Sequence, residues 1–515
     1  ARAGTAGAQH DLTSPDRRET GVEEDGMERA KPASGEITLW FGIVDGERRE
    51  AIGGERLDVV APSDGTVFAS IPRGRESDVD AAVAAARAAF TGPWAKLSAT
   101  ERGRLLTKLA GVVTAHTEEL AELESRDTGK PISQGRADAV ALARYFEFYG
   151  GSADKLMGET IPISTGYTAM TIREPLGVVA SIVPWNYPAQ ILGRVAGASL
   201  AAGNTLVVKP AEDACLSVIR VAELALEAGF PAGVFNVVTG LGAEAGAALA
   251  GHRDIDYVTF TGSPEVGTLV QQAAAVNHVG CTLELGGKSP QVVFADADLE
   301  AALPVLVKAI IQNGGQTCSA GSRILVERPI FDEVVARLAE RFSRLVAGPH
   351  DADLDLGPLV SAKQQARVAA RVAAAEAEGV PVAARGTIAA NAPAGGFYQE
   401  AVVFAPVPRT AAIWHEEVFG PVLCVTPFDD EAEAIDLANA TPYGLVAGVW
   451  TADGARQMRL ARAVRAGQVF VNGYGAGGGV ELPFGGFKRS GHGREKGFEA
   501  LLEFTATKTI VLTHG

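Results

Sequence analysis

The chain has 515 residues, 47% of them hydrophobic, and a formal net charge of −16. That length exceeds one simple domain and predicts about two or three, with a large buried core. The composition excludes a disordered chain, and the acidic balance excludes the basic face that a nucleic-acid partner requires.

The four cysteines, Cys215, Cys281, Cys318 and Cys424, are far apart with no CxxC pair, and histidine is scarce. No metal site is expected. Residues 1–36 are rich in Ala, Gly, Arg, Asp and Glu and lack the apolar core of a signal peptide. They read as a disordered tail, with Met27 a candidate initiator. No stretch has the length and charge-free character of a membrane span, and a cytoplasmic setting is expected. Ordered sequence is predicted to begin near Ile37, with Asp45-Gly46 as a hairpin turn. Helices are predicted over 79–90 with Ser77 as N-cap, over 99–126 as one long element, and over 133–148. Residues 160–172 alternate as a hairpin does.

From Val178 a new rhythm begins. β-branched runs at 178–183, 205–208, 234–238 and 257–260 alternate with helical stretches, which predicts a doubly wound parallel sheet. After Glu284 the rhythm repeats with different contents to about Gly485. A β-rich run at 503–512 is too distant for a local hairpin and is expected to pair with 160–172, in this chain or a neighbour.

Several strand ends carry chemistry-bearing residues. Gly242 and Gly246 lie in a glycine-rich turn after a strand, and Gly262-Ser263 follows Phe260 at the next strand end. Such turns bring backbone amides to a phosphate, or are ordinary strand–helix turns in which Ser263 caps its helix. Lys209 and Glu212 can hold ribose hydroxyls or form a solvated pair. Cys318, in Asn313-Gly314-Gly315-Gln316-Thr317-Cys318-Ser319, sits in a small polar loop unlike the apolar surroundings of Cys215 and Cys424. That context suits a nucleophile or an inert thiol. Glu284, before two glycines, is a general base if burial raises its pKa, or a turn carboxylate. Asn186, in Pro184-Trp185-Asn186-Tyr187-Pro188, can donate its amide to an oxyanion or serve a turn.

Together, in this order and spacing, these pieces resemble the aldehyde dehydrogenase superfamily. The matches are PWNYP at 184–188, KPAE at 209–212, GLGAEAG at 240–246, FTGS at 260–263, ELGGKSP at 284–290, GQTC at 315–318, EEVFGP at 416–421 and PFGGFKRSG at 483–491. The resemblance implies Cys318 as nucleophile, Glu284 as base for thioester hydrolysis, and Asn186 with the Cys318 amide as oxyanion hole. It implies NAD as cofactor, held by Trp185, Lys209, Glu212, Gly242, Gly246, Phe260, Gly262, Ser263, Gln364, Glu417 and Phe419, with Arg367 as a further ribose-side position. Glu212 would repel a 2′-phosphate, and Glu284 argues against acyl transfer to coenzyme A. A fold that had kept its shape and lost catalysis is opposed by the intact Cys318, Glu284 and Asn186.

Fewer substrate positions match. Many relatives carry an aromatic residue and then Lys where this chain has Arg194 and Val195. Arg194 resembles the carboxylate-reading Arg of succinate semialdehyde dehydrogenases, or is salt-bridged within the protein. Their second Arg is Gln312 here, which counts against succinate semialdehyde itself. The glycine-rich 473–481, with Tyr474, lacks an aromatic cage for a quaternary ammonium. The substrate expectation is therefore a carboxylate-bearing semialdehyde, otherwise a broad or bulky aldehyde. The implied fold is α/β: a doubly wound NAD-binding domain at 37–155 and 176–286, an α/β catalytic domain at 287–488, and a small β oligomerisation arm of 156–175 and 489–515. A dimer or tetramer is expected, acting on a small-molecule aldehyde.

Overall fold

The computed structural model describes residues 37–475 and 479–515. The tail expected at 1–36, and the centre of the glycine-rich segment, lie outside the described residues.

The described residues are α/β, with two large sheets and three small ones, of which the small sheet containing Tyr167–Pro175 takes in the chain's end. The first has eight strands in the order Gly491–His492, Gly280–Glu284, Tyr257–Thr261, Val178–Val183, Thr205–Pro210, Phe235–Val237, Gly42–Val44 and Glu47–Arg49. The five from Gly280–Glu284 to Phe235–Val237 are parallel. Val178–Val183 comes first of these in the chain and lies in their middle, so the winding reverses between it and Tyr257–Thr261. Ligands of open α/β sheets bind at such a reversal, outside the carboxyl ends of the strands. The strands read as apolar runs because helices cover both faces: Val178, Val179 and Ala180 are fully buried, as are Leu206, Val207 and Val208.

The second sheet has seven strands, in the order Val382–Arg385, Val402–Phe404, Val422–Phe428, Arg323–Glu327, Pro290–Val293, Val446–Trp450 and Gln468–Val471. All its pairings are parallel except that of Val382–Arg385. The small sheet at the chain's end is antiparallel. Tyr167–Pro175 pairs on one side with Thr160–Ile161 and on the other with Thr505–Thr513 of the same chain, from Thr505↔Pro175 to Thr513↔Tyr167. Gly491–His492 belong instead to the eight-stranded sheet, where they pair with Leu283 and Glu284. This pairing carries the segment after Phe484 back across the end of the Glu284 strand.

Local chemistry explains where elements begin and end. Asp45 and Gly46, at φ 54° and 75°, form the tight turn expected between Gly42–Val44 and Glu47–Arg49. The first helix runs Glu76–Thr91 and starts before Ser77, because the Asp78 carboxylate accepts the Arg75 backbone N–H and caps the helix one turn earlier. The long helix expected over 99–126 is two, Ala99–Ala115 and Thr117–Thr128. His116 interrupts it at φ −106°, ψ 21°, with Nδ1 2.8 Å from the Val112 carbonyl.

Candidate functional site

The carboxyl ends of the central strands form a row. Beyond Val178–Val183 stand Trp185 and Asn186, and the next strand, Thr205–Pro210, carries Lys209 as its penultimate residue. The Lys209 Nζ lies 2.8 Å from Glu212 Oε2. Burial pushes the Glu212 carboxyl up, but Lys209 and the Glu212 and Gly242 backbone amides outweigh it and hold the group below its ordinary value. The turn after Phe235–Val237 winds as a π-turn over Gly242–Gly246 and then as the short helix Ala247–Ala250. A side chain at Gly242 would meet nothing within 4 Å, whereas Gly246 faces the Lys209 stem at 3.8 Å. The turn is thus open at Gly242 and packs against the Lys209 stem at Gly246.

Phe260 and Gly262 fit one another. A Cβ at residue 262 would stand 2.5 Å from Phe260 Cζ, so only glycine lets that ring stay buried. Ser263 caps the helix Pro264–Val276, accepting the Val266 N–H at 3.3 Å. The capping reading of Ser263 therefore holds, and its hydroxyl proton remains available to an acceptor.

The far end of the row is closed from the second sheet. Glu417 Oε1 accepts the Gly287 N–H at 2.8 Å. Burial pushes the Glu417 carboxyl up to about 7, against the Gly287 bond and the charges of Lys288 and Arg367. Phe419, at φ 57°, meets Trp185 edge to face with centroids 5.4 Å apart, and Gln364 Nε2 donates to the Phe419 carbonyl at 2.7 Å. Trp185, Gln364, Arg367, Glu417 and Phe419 thus gather at one end of the row of strand ends.

Cys318 follows a sharp reversal. The helix Leu299–Ile311 stops, and Asn313, Gly314 and Gly315 turn consecutively left-handed at φ 51°, 60° and 74°. Two of the three are glycine, for which that region costs least. Asn313 is held there by its bonds: its amide donates to the Asn186 carbonyl at 2.8 Å, and its backbone N–H to Gln134 Oε1 at 2.9 Å. In return Asn186 Nδ2 donates to the Gln316 carbonyl at 2.9 Å. Tyr187 Oη lies 3.0 Å from Thr317 Oγ1. These bonds lock the Asn186 turn to the cysteine loop, so the oxyanion-hole and nucleophile candidates share one framework. Gln312 is exposed at the start of the reversal, and its carbonyl accepts the Thr317 hydroxyl.

The thiol itself is half-buried against Leu445, Val446 and Phe484, with Phe470 and Tyr474 beside it. Tyr474 donates its hydroxyl to the Ser319 carbonyl, so it braces the loop as well as lining it. Burial pushes the Cys318 thiol up to about 12. Arg194 opposes this, and the nearby carboxylates of Glu417, Glu284 and Glu495 add to it. Left alone, this thiol is protonated at neutral pH and needs a base.

Glu284 is the last residue of its strand, 2% exposed, and neither carboxylate oxygen accepts a hydrogen bond from a described residue. Burial, then the neighbouring Glu495 charge, raises its pKa well above normal, against Arg194, Arg494 and Lys496. Of the two sequence readings of Glu284, burial favours the base over the solvated turn carboxylate. Arg194 faces the same space. Its Nη1 lies 3.5 Å from Glu495 Oε2, with the two side chains 13% and 5% exposed, and its guanidinium stands 5.0 Å from the Phe484 ring centroid. The salt-bridged reading of Arg194 is therefore the one its contacts favour, and the cation is already compensated by Glu495.

Several participants escaped the sequence reading. Asn313, Tyr187 and Gln134 act through tertiary hydrogen bonds with no local signature. Glu495 and Lys496, adjacent in a charged stretch near the C-terminus, gave no sign of meeting Glu284; the antiparallel pairing of Gly491–His492 brings them there.

The family model described as the aldehyde dehydrogenase family matches residues 49–510. An aldehyde dehydrogenase of Emericella nidulans is 43% identical over 470 residues, covering 91% of this chain and 94% of that protein. Among solved structures, a candidate aldehyde dehydrogenase from Burkholderia cenocepacia is 63% identical, with a TM-score of 0.91 over 92% of this chain and 100% of that one. The NAD+ complex of an aldehyde dehydrogenase from Bacillus cereus is 42% identical, with a TM-score of 0.90 over 93% and 97%.

Proposed function

The chain belongs to the aldehyde dehydrogenase family, and we propose that it oxidises an aldehyde to the free carboxylic acid with NAD, using Cys318 as nucleophile and Glu284 as base. The observation that carries this reading is the lock between Asn186 and the Cys318 loop, with buried Glu284 close enough for its charge to weigh on the thiol.

The residue chemistry follows. Glu284 takes the Cys318 thiol proton, and the thiolate sulfur bonds to the aldehyde carbon. The alkoxide so formed is received by the second N–H of Asn186 and by the Cys318 backbone N–H. NAD, when bound, supplies the hydride acceptor, and a thioester remains on Cys318. Glu284 releases the thiol proton to solvent and then takes a proton from water; the hydroxide adds to the thioester carbon, the C–S bond breaks to release the acid, and the returning thiolate recovers a proton from Glu284. Lys209 and Glu212 would hold the adenine-side ribose. Gly242, Gly246, Phe260, Gly262 and Ser263 would line the phosphates, and Trp185, Gln364, Glu417 and Phe419 would frame the nicotinamide end. The carboxylate of Glu212 favours NAD over its 2′-phosphorylated form.

Arg194 is paired with Glu495, and Cys318 packs with Phe470 and Tyr474 on the apolar cluster of Leu445, Val446 and Phe484. These contacts favour a neutral, apolar aldehyde over a semialdehyde. The same reading assigns 37–155 and 176–286 to the NAD-binding domain and 287–488 to the catalytic domain. It also assigns the small sheet to self-association into a dimer or tetramer, for which exposed Tyr167, Ile163, Val511 and Leu512 supply apolar surface. Four free cysteines fit a reducing, cytoplasmic compartment.

The test is NADH formation with neutral and ω-carboxylated aldehydes, the product identified by NMR with and without coenzyme A. Wild type is expected to yield free acid without coenzyme A, and Cys318→Ala and Glu284→Gln to lose turnover. A Cys318→Ala enzyme that still turns over overturns the mechanism. A preference in kcat/KM for carboxylated aldehydes, lost in Arg194→Met, would restore the semialdehyde reading.

A further inference from the structure

The site contains a buried lysine that this mechanism leaves without a role. Lys496 is 8% exposed and sits at φ 60°, ψ 173°, a backbone region that side-chain-bearing residues rarely adopt. Its Nζ stands 5.3 Å from the centroid of the Phe484 ring, the same ring that carries Arg194 at 5.0 Å. Two cations are thus gathered on one aromatic ring.

The surrounding backbone fixes where that ring lies. Phe484 and Glu495 exchange backbone hydrogen bonds of 2.6 and 2.7 Å. Gly485, next to Phe484, presses on the base: a Cβ there would meet Glu284 Oε1 at 2.8 Å and Arg494 Cδ at 3.0 Å. Gly491 pairs with Glu284 itself. Residues 484–485 and 491–496 therefore wrap the Glu284 carboxylate, and Lys496 lies at the end of that wrap.

The charges facing Lys496 come from every neighbouring element. They are Arg194 from the helix Pro188–Ala202, Glu284 from its strand end, Cys318 from its loop, adjacent Glu495, and Glu481 from the segment before Phe484. Burial, then Arg194, push the Lys496 amine down to about 7, while Glu495, Cys318 and Glu284 pull the other way.

We propose that Lys496 is a positioning residue whose cation sets the ionisation of Glu284 and of Cys318. Held in a strained conformation, it places a positive charge where a base with two unbonded oxygens and a half-buried thiol both feel it. The inference rests on Glu284 and Cys318 acting as proposed above. It adds that the acid limb of the reaction belongs to a Glu284–Lys496 system and not to Glu284 alone.

The sign is fixed. A cation beside a carboxylate lowers its pKa, so removing it raises the pKa of Glu284 and moves the acid limb to higher pH. The experiment measures the pH profile of NADH formation for wild type, Lys496→Met, Lys496→Arg and Lys496→Gly. It also measures the pH dependence of Cys318 alkylation by iodoacetamide without cofactor, read by peptide mass spectrometry. Met keeps most of the stem and removes the charge, Arg keeps a charge, and Gly removes the side chain while relieving the backbone.

Lys496→Met and Lys496→Gly are expected to move the acid limb up by about one pH unit, and to move the alkylation midpoint in the same direction. Lys496→Arg is expected to keep the limb at or below its wild-type position. Profiles that superimpose on wild type after scaling overturn the proposal, as does Lys496→Arg behaving like Lys496→Met. If wild type oxidises no aldehyde, the functional reading fails, and the alkylation arm still decides whether Lys496 governs the thiol.

Discussion

Removing the Arg194 guanidinium while keeping most of its length, as Arg194→Met does, breaks its ion pair with Glu495 inside the site. The pair is 3.5 Å apart and its side chains are 13% and 5% exposed. At that distance, with an effective dielectric of about 20, the attraction is about 5 kcal/mol. Desolvation of both ions offsets part of it. Truncating one partner leaves the other buried and charged, which costs about 3–5 kcal/mol. The loss should depend on pH in a defined direction. Burial, the largest effect on Glu495, already raises its pKa in the folded state, with Arg194 the main opposing influence. Such a carboxyl is protonated in both folded and unfolded chains at low pH, and little is lost there. As pH rises past the ordinary carboxylate value of about 4.3, the unfolded chain ionises first and the fold loses stability, until the folded pKa is passed. Without Arg194 that folded value lies higher, so the gap between wild type and Arg194→Met should widen as pH rises above the ordinary carboxylate value. Thermal midpoints across this range, for Arg194→Met and for Arg194→Met with Glu495→Gln, measure it. The double variant should recover most of the loss at neutral pH. A deficit that is independent of pH, or a double variant no better than the single, would refute the electrostatic reasoning and leave packing against Phe484 as the cause.

Other expectations follow from single contacts. Asn313→Gly keeps the left-handed backbone and loses the amide that fixes Asn186, so kcat should fall about tenfold or more with a small change in stability; Asn313→Ala should lose both activity and about 1–2 kcal/mol more stability. Gly262→Ala forces the buried Phe260 ring to move, and calorimetry should show NAD binding weakened at least about tenfold. Lys496→Gly relieves a conformation that costs about 1–3 kcal/mol, so its thermal midpoint should rise while its activity falls at acid pH; a lower midpoint would show that the lysine stabilises the fold.

The fold was legible wherever local physics dominates. Apolar runs at 178–183, 205–208 and 257–260 could only be buried parallel strands, because a sheet covered on both faces leaves no polar alternation. Asp45-Gly46 announced its turn because both residues tolerate the left-handed region that a tight hairpin turn requires. Legibility failed where a single side chain outweighed the pattern. Asp78 capped a helix ahead of Ser77, and His116 divided what periodicity joined, since a break at one residue barely disturbs a pattern read over many. The nucleophile, base and oxyanion candidates were visible as residue types in small polar turns. Their environment was not, and Arg194 illustrates why. Anion reader and internal ion pair look identical in sequence, and the difference lies in Glu495, 301 positions away along the chain.

The same distance explains why the chemistry of the site is collective. A carboxylate at a strand end is an ordinary acid until something removes water from it. Here that is the segment returning after Phe484, which packs Gly485 against Glu284 and brings Glu495, Arg494 and Lys496 with it. The segment therefore both raises the pKa of the base, by burial and by Glu495, and limits the rise, by Lys496 and Arg494. A base must be ionised to act yet basic enough to take a proton, and these opposed effects tune one group toward both requirements. Cys318 lies under the same charges, so a change that improves the base by removing a cation makes the thiol harder to ionise. The proposed nucleophile and base therefore cannot be optimised separately, and the cationic pair on Phe484 is where we place the compromise between them.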